Sequence, residues 1–136
     1  MRRLVALTTF AVSTTIPWTA VAPANAAGDA DQVRTVLEVM NGSYNRSDFT
    51  SFAEHVCTAM RRAADFEKSW YASRQADGPT RISVDSVTLA GQPAASAVAT
   101  VRFAAANQPD AKTFDVDFLR EGSDWKACQY HPTQAA

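Results

Sequence analysis

The spacing of apolar positions changes period once along the chain, close to residue 79. Upstream, Val33, Val36, Leu37, Met40 and Tyr44 fall at i, i+3, i+4, i+7 and i+11, a single helical stripe. This predicts a helix over residues 29–44, with Asp29 and Asp31 at the positive end of its dipole. The stripe crosses Asn41-Gly42, although glycine weakens a helix interior by about 1 kcal/mol relative to alanine. A break at residues 45–48 follows, where Ser47 or Asp48 can cap a new helix, and Ser51 with Glu54 has capping-box spacing. Phe49, Phe52, Ala53, Val56 and Met60 form the next stripe, and Phe66 and Trp70 lie one turn apart beyond it. Two shorter helices meeting near Cys57-Thr58 are expected, ended by Asp77-Gly78-Pro79.

Downstream the period is two. In residues 81–89, Ile82 and Val84 share one face and Val87 and Leu89 the other, so a β-bulge is expected at Asp85-Ser86. Gly91-Gln92-Pro93 is a turn. Residues 95–105 form a strand with Ala97, Ala99, Val101 and Phe103 on one face and Thr100 and Arg102 on the other. After a turn at residues 107–110, Phe114, Val116 and Phe118 alternate with Asp115, Asp117 and Leu119. A polar turn at residues 121–124 then opens a last short strand. Helices first and four strands after them specify an α+β domain, with the N-terminal helices packed on a curved four-stranded antiparallel sheet.

Composition adds a compartment. The chain has 136 residues and a net charge of -1, with no basic run longer than Arg61-Arg62, which excludes nucleic acid as a partner. Arg2 and Arg3 precede a mostly apolar stretch and then Pro23-Ala24-Asn25-Ala26, the layout of a secretory signal peptide. The expected organisation is a signal peptide over residues 1–26, one α+β domain over 27–132 and a polar tail over 133–136. No Cys lies near the cleavage point, and no later run approaches the roughly 18 apolar residues of a membrane span, so no span is expected in the mature chain. The protein is expected to be secreted or held in the cell envelope.

The two cysteines, Cys57 and Cys128, are then most economically read as one disulfide. It would close a loop of roughly 70 residues and stabilise by about 4 kcal/mol in the chain-entropy model. A zinc set of His55, Cys57, Cys128 and His131 is the sharper alternative. The spacing argues against it, because residues i and i+2 on a helix point about 200° apart, so His55 and Cys57 cannot easily share one metal. No motif calls for a metal or another cofactor, and no nucleophile elbow, phosphate loop or dinucleotide fingerprint occurs. One acid–base set survives: Tyr44 with Asp48 or Asp65, a carboxylate beside a phenol that could handle the proton of an enolisable substrate. The plainer reading makes Tyr44 a core aromatic and both aspartates cap or surface residues. Asp115 and Asp117 read as solvated charges, with Arg102 or Lys126 as cross-strand partners.

A helix ending in Asn41-Gly42-Ser43-Tyr44-Asn45, the Asp48-Phe49 helix start and the turn Gly91-Gln92-Pro93 occur in a telling order with Gly122-Ser123-Asp124-Trp125-Lys126. In this order they resemble the small exported members of the nuclear-transport-factor-two-like, cystatin-like superfamily. The nearest resemblance is to the lumazine-binding-protein-like group of high-GC Gram-positive bacteria. The resemblance implies a cone: a curved sheet around the first helix, a pocket at its open end, and frequent homodimers through the sheet. It leaves function open among binding, interaction and isomerase- or dehydratase-like catalysis. If the cone is open, the inward-facing Met40, Tyr44, Trp70, Phe103 and Phe118 are its expected lining; the plainer and favoured reading is that these side chains fill the core. The favoured reading is a non-catalytic module that binds a small apolar ligand or another protein. A ketosteroid-isomerase- or dehydratase-like enzyme comes second, and a subunit without a ligand third; that last would need an apolar patch on the outer sheet face.

Overall fold

The computed structural model describes residues 26–132, so the tail and all but the last residue of the expected leader lie outside the described residues. Helix α1 (Ala26–Asn45) carries the predicted stripe inward: Val33, Leu37, Met40 and Tyr44 are all buried. It continues through Gly42 because its far end is anchored from outside. Thr80 donates its N–H to Asn45 Oδ1 at 2.8 Å and its hydroxyl to Asn41 Oδ1 at 2.6 Å, while Asn45 Nδ2 donates to the Thr80 carbonyl at 2.8 Å. These bonds fix the C-terminal end of α1 against the start of the sheet.

The chain turns at Ser47 (φ 55) and enters α2 (Phe49–Ala53), whose first turn is capped by Asp48 accepting from the Ser51 N–H at 3.2 Å. The capping box is not used, because Glu54 already stands past the end of that helix. The stripe read through Val56 is then interrupted. Residues 55–57 leave the turn after α2 and pair with the last strand, Val56 bridging it and Cys57 extended, with Cys57 N–H donating to the Ala127 carbonyl at 2.9 Å and Ala127 N–H to the His55 carbonyl at 2.8 Å. Val56 is buried through this pairing and not on a helix face. The helical premise used against a shared metal at His55 and Cys57 therefore fails. Two further helices follow, α3 (Thr58–Arg61) and α4 (Phe66–Asp77), so three short helices stand where two were expected. Helix α4 stops at Gly78, whose φ of 69 favours glycine.

The sheet has the order β1 (Thr80–Ala90), β2 (Ser96–Ala105), β3 (Lys112–Glu121) and β4 (Asp124–Pro132), antiparallel throughout. The register of β1 slips between Val84 and Ser86, the predicted bulge. Its effect is to bring both apolar pairs to one side: Val84 and Ile82 oppose Val101 and Phe103, and Val87 and Leu89 oppose Ala99 and Ala97. The bulge thus converts a parity conflict in the sequence into one continuous inner face and bends the strand. Arg34 of α1 donates to the Val84 carbonyl at 3.0 Å beside it. A second slip, between Asp117 and Phe118 of β3, leaves Cys128 without a cross-strand partner.

Helix α1 lies across the inner face. At the end built from Val33, Leu37, Ala97, Ala99, Phe118, Trp125 and Ala127 the space is filled. Ala97 and Ala99 have no bulk to hold the helix off the sheet, and Phe118, 1% exposed, fills the gap beside them. Asp29, 2% exposed in the first turn of α1, pairs there with Arg120, whose guanidinium carbon sits 4.6 Å above the Trp125 ring. Towards Thr80 the inner face changes to larger, more widely separated side chains, and the cone opens.

Candidate functional site

The open end encloses a cavity of about 570 Å³. One wall is an aromatic cluster centred on Trp70 of α4. Tyr44 meets it edge-on at 5.4 Å between centroids, and Phe49 and Phe52 each lie at 5.3 Å. The opposite wall is the sheet, where Phe103, Phe114 and Tyr130 form a chain of edge contacts at 6.1 and 5.9 Å. The two walls leave the space between them open because each set of rings packs on itself, and Leu37, Met40 and Val101 form the apolar floor.

Among the expected lining residues, Met40, Tyr44, Trp70 and Phe103 line the cavity. Phe118 does not: it belongs to the filled end, where the slip in β3 and the alanines of β2 place it under α1. Asp65 stands at the mouth, exposed, at the start of α4. Asp48 is occupied in capping α2.

Neither of them meets the Tyr44 hydroxyl, which donates instead to Asp77 Oδ2 at 2.7 Å. Burial, and after it the Asp77 carboxylate, pushes the phenol well above its ordinary pKa of 10.0, so Tyr44 stays protonated. Arg74 braces the pair from behind, donating to the Tyr44 and Asn45 carbonyls at 2.8 and 3.1 Å with its guanidinium over the Tyr44 ring. In the sequence Asp77 reads only as part of a helix stop. Nothing local links it to a tyrosine thirty-three residues earlier; a helix that must fold back over α1 was the one available signal.

The two thiols meet at the other side of β4. Cys57 is buried at the start of α3 and Cys128 is half-buried at the β4 slip; both are free, near one another but not at bonding distance. The expected bridge is therefore not formed here: Cys57 is fixed by its backbone bond to Ala127, and the Cys128 thiol points towards the Lys126 carbonyl at 3.7 Å. Burial, followed by the hydrogen bond with Cys57, pushes the Cys128 thiol up to about 12. On the outer sheet face Asp115 accepts from the Thr100 hydroxyl at 2.8 Å and Asp117 lies 3.5 Å from His131, not beside Arg102 or Lys126. Lys126 reaches the Glu54 carbonyl instead.

No family model matches the chain, and no curated protein matches it. Solved structures do. An NTF-2-like protein of unknown function from Shewanella oneidensis MR-1 superposes with a TM-score of 0.60 at 11% identity, over 74% of this chain and 95% of that one. The intermembrane space region of the chloroplast protein ARC6 superposes with a TM-score of 0.54 at 14% identity, over 79% and 98%. The helices and four-stranded antiparallel sheet described above are the NTF-2-like α+β fold. The likeness carries the fold and does not reach the narrower lumazine-binding-protein-like group.

Proposed function

We propose that this protein is a non-catalytic binding module that holds a small apolar ligand in the open end of its cone. The observation that carries this reading is the cavity of about 570 Å³ between two aromatic walls, a size and lining typical of small-molecule sites. The outer sheet face favours it over a docking module. Val98 and Leu119 are exposed there, but among Thr88, Thr100, Arg102, Asp115 and Asp117 they do not make an extended apolar patch. The test is a titration with the neutral fluorophore N-phenyl-1-naphthylamine, alongside a Val101→Phe variant that fills the floor. Saturable one-to-one binding that Val101→Phe abolishes, with the thermal transition retained, is expected. Absence of saturable binding, or binding indifferent to the filling, overturns the reading.

The isomerase- or dehydratase-like alternative now rests on Tyr44 with Asp77 in place of Asp48 or Asp65. A phenol whose proton is already directed at a carboxylate has none to lend a substrate oxygen, which ranks binding first. Turnover of an enolisable substrate that disappears in Tyr44→Phe would reverse that order.

Export, read from the leader, and the closure of Cys57 onto Cys128 belong to the same reading. Outside the cytoplasm a disulfide oxidant accepts two electrons from the pair, both thiols lose their protons, and an S–S bond forms. Intact mass of protein recovered from the envelope or medium should lack residues 1–26 and two hydrogens; a full-length chain with both thiols free removes this part.

A further inference from the structure

The chemistry of the cavity narrows what it holds, provided the binding reading above is correct. Three polar side chains of its wall, Asn41, Tyr44 and Asp77, are already tied into the fold. Asn41 donates to the Thr80 carbonyl at 3.3 Å and accepts from the Thr80 hydroxyl at 2.6 Å, which fills its side facing the sheet. Tyr44 gives its only proton to Asp77, so what its oxygen still offers is lone pairs. Asp77 accepts that one bond, and a carboxylate has about four acceptor positions in all. Trp70 Nε1 has no acceptor within reach, but that atom is buried and does not open onto the void. The Tyr44–Asp77 pair is therefore an acceptor site without a proton of its own to give.

Charge points the same way. Asp65, Asp77 and Asp110 line the cavity against one ammonium, Lys112. Arg74 lies behind Tyr44 with its guanidinium already bonded to two backbone carbonyls. The walls themselves are aromatic, and ring faces attract cations. An anionic ligand would be repelled by the Asp77 carboxylate, with Lys112 the one ammonium among the lining residues to set against three carboxylates. A ligand bearing an ammonium group satisfies both Tyr44 Oη and Asp77 at once, with its apolar body between the rings.

We propose that the cavity selects an amphiphile with a protonated amine, its N–H groups donating to Asp77 and the Tyr44 oxygen and its apolar chain lying between the Trp70 and Phe103 walls.

The test compares ligands that share one chain and differ only in the head: decylamine, decyltrimethylammonium, decanol and decanoate. Each is titrated by calorimetry at pH 7 and moderate salt, below its micelle concentration. Decylamine is expected to bind at least about tenfold more tightly than decanoate, as one charge-assisted hydrogen bond is enough to provide. Decyltrimethylammonium, which has the charge and no donor, should fall between them. Asp77→Asn keeps an acceptor for Tyr44 and removes the charge, so the preference for amine over alcohol should collapse. Equal binding of all four heads would overturn the amine proposal and leave the apolar pocket standing, as would tighter binding of decanoate. Binding of none of them would remove the pocket reading and this inference together. An unchanged amine preference in a folded Asp77→Asn variant would also overturn the assignment of the head to Asp77.

Discussion

The two ends of the cone use the same sheet and the same helix to opposite purposes. At the closed end β2 contributes alanines, α1 settles close, and Phe118 and Trp125 complete a filled core held by the buried Asp29–Arg120 pair. At the open end the same strand contributes Val101 and Phe103, the helix is tied to β1 through Asn41 and Asn45, and the rings pack among themselves. Side-chain size along one strand is enough to switch the fold from packing to enclosure. Stability should then concentrate at one end and binding at the other.

The largest effect should come from the closed end. Phe118→Ala removes a fully covered ring in a site that cannot collapse, and a loss of about 3–5 kcal/mol in urea unfolding is expected. A loss under about 1 kcal/mol would show that this end is not the filled one. Arg120→Met should cost about 3 kcal/mol by the same measurement, because it leaves the Asp29 carboxylate buried without its cation; the start of α1 offsets part of that.

The open end should respond more weakly and differently. Tyr44→Phe is expected to cost about 1 kcal/mol at neutral pH, the loss of one hydrogen bond. The phenol's pKa is raised on folding, so its contribution is complete below pH 10.0 and is lost as the pH climbs beyond it; Tyr44→Phe should flatten that alkaline decline. The Cys128 thiol has the same sign, its contribution declining from 9.0 towards about 12, so a Cys128→Ser control separates the two. Smallest of all should be Phe103→Ala, at under about 1 kcal/mol, because the ring already borders empty space. Its signature is instead a weakened uptake of the naphthylamine probe. A cost as large as that of Phe118→Ala would erase the distinction between the ends.

Much of this arrangement could be read from the residues in order. The stripe from Val33 to Tyr44 and the alternation from Ala97 to Phe103 are local patterns, and each depends only on which face meets the core. The conflict between Ile82/Val84 and Val87/Leu89 was legible as a bulge, although only the folded strand shows that it reunites both pairs on one face. What escaped was set by tertiary contact. Residues 55–57 have helical spacing yet are drawn out by hydrogen bonds to β4, which no periodicity encodes. Asp77 and Arg74 reach Tyr44 only because α4 returns across α1, whereas Asp48 and Asp65 were expected beside it as carboxylates of the covering helices. Phe118 was expected in the lining because it faces inward; depth along the cone, which a strand pattern does not specify, puts it in the core.

The short paired run at residues 55–57 has a consequence for how this molecule behaves in company. By bonding alongside Ala127 it occupies groups on the outer margin of β4 that would otherwise stand open as a template for a foreign strand. The chain thus guards itself against strand-by-strand association at that margin. Loosening this small clasp, for instance with proline at Cys57, whose N–H is one of its two bonds, should surface first as aggregation and only afterwards as a lower melting temperature.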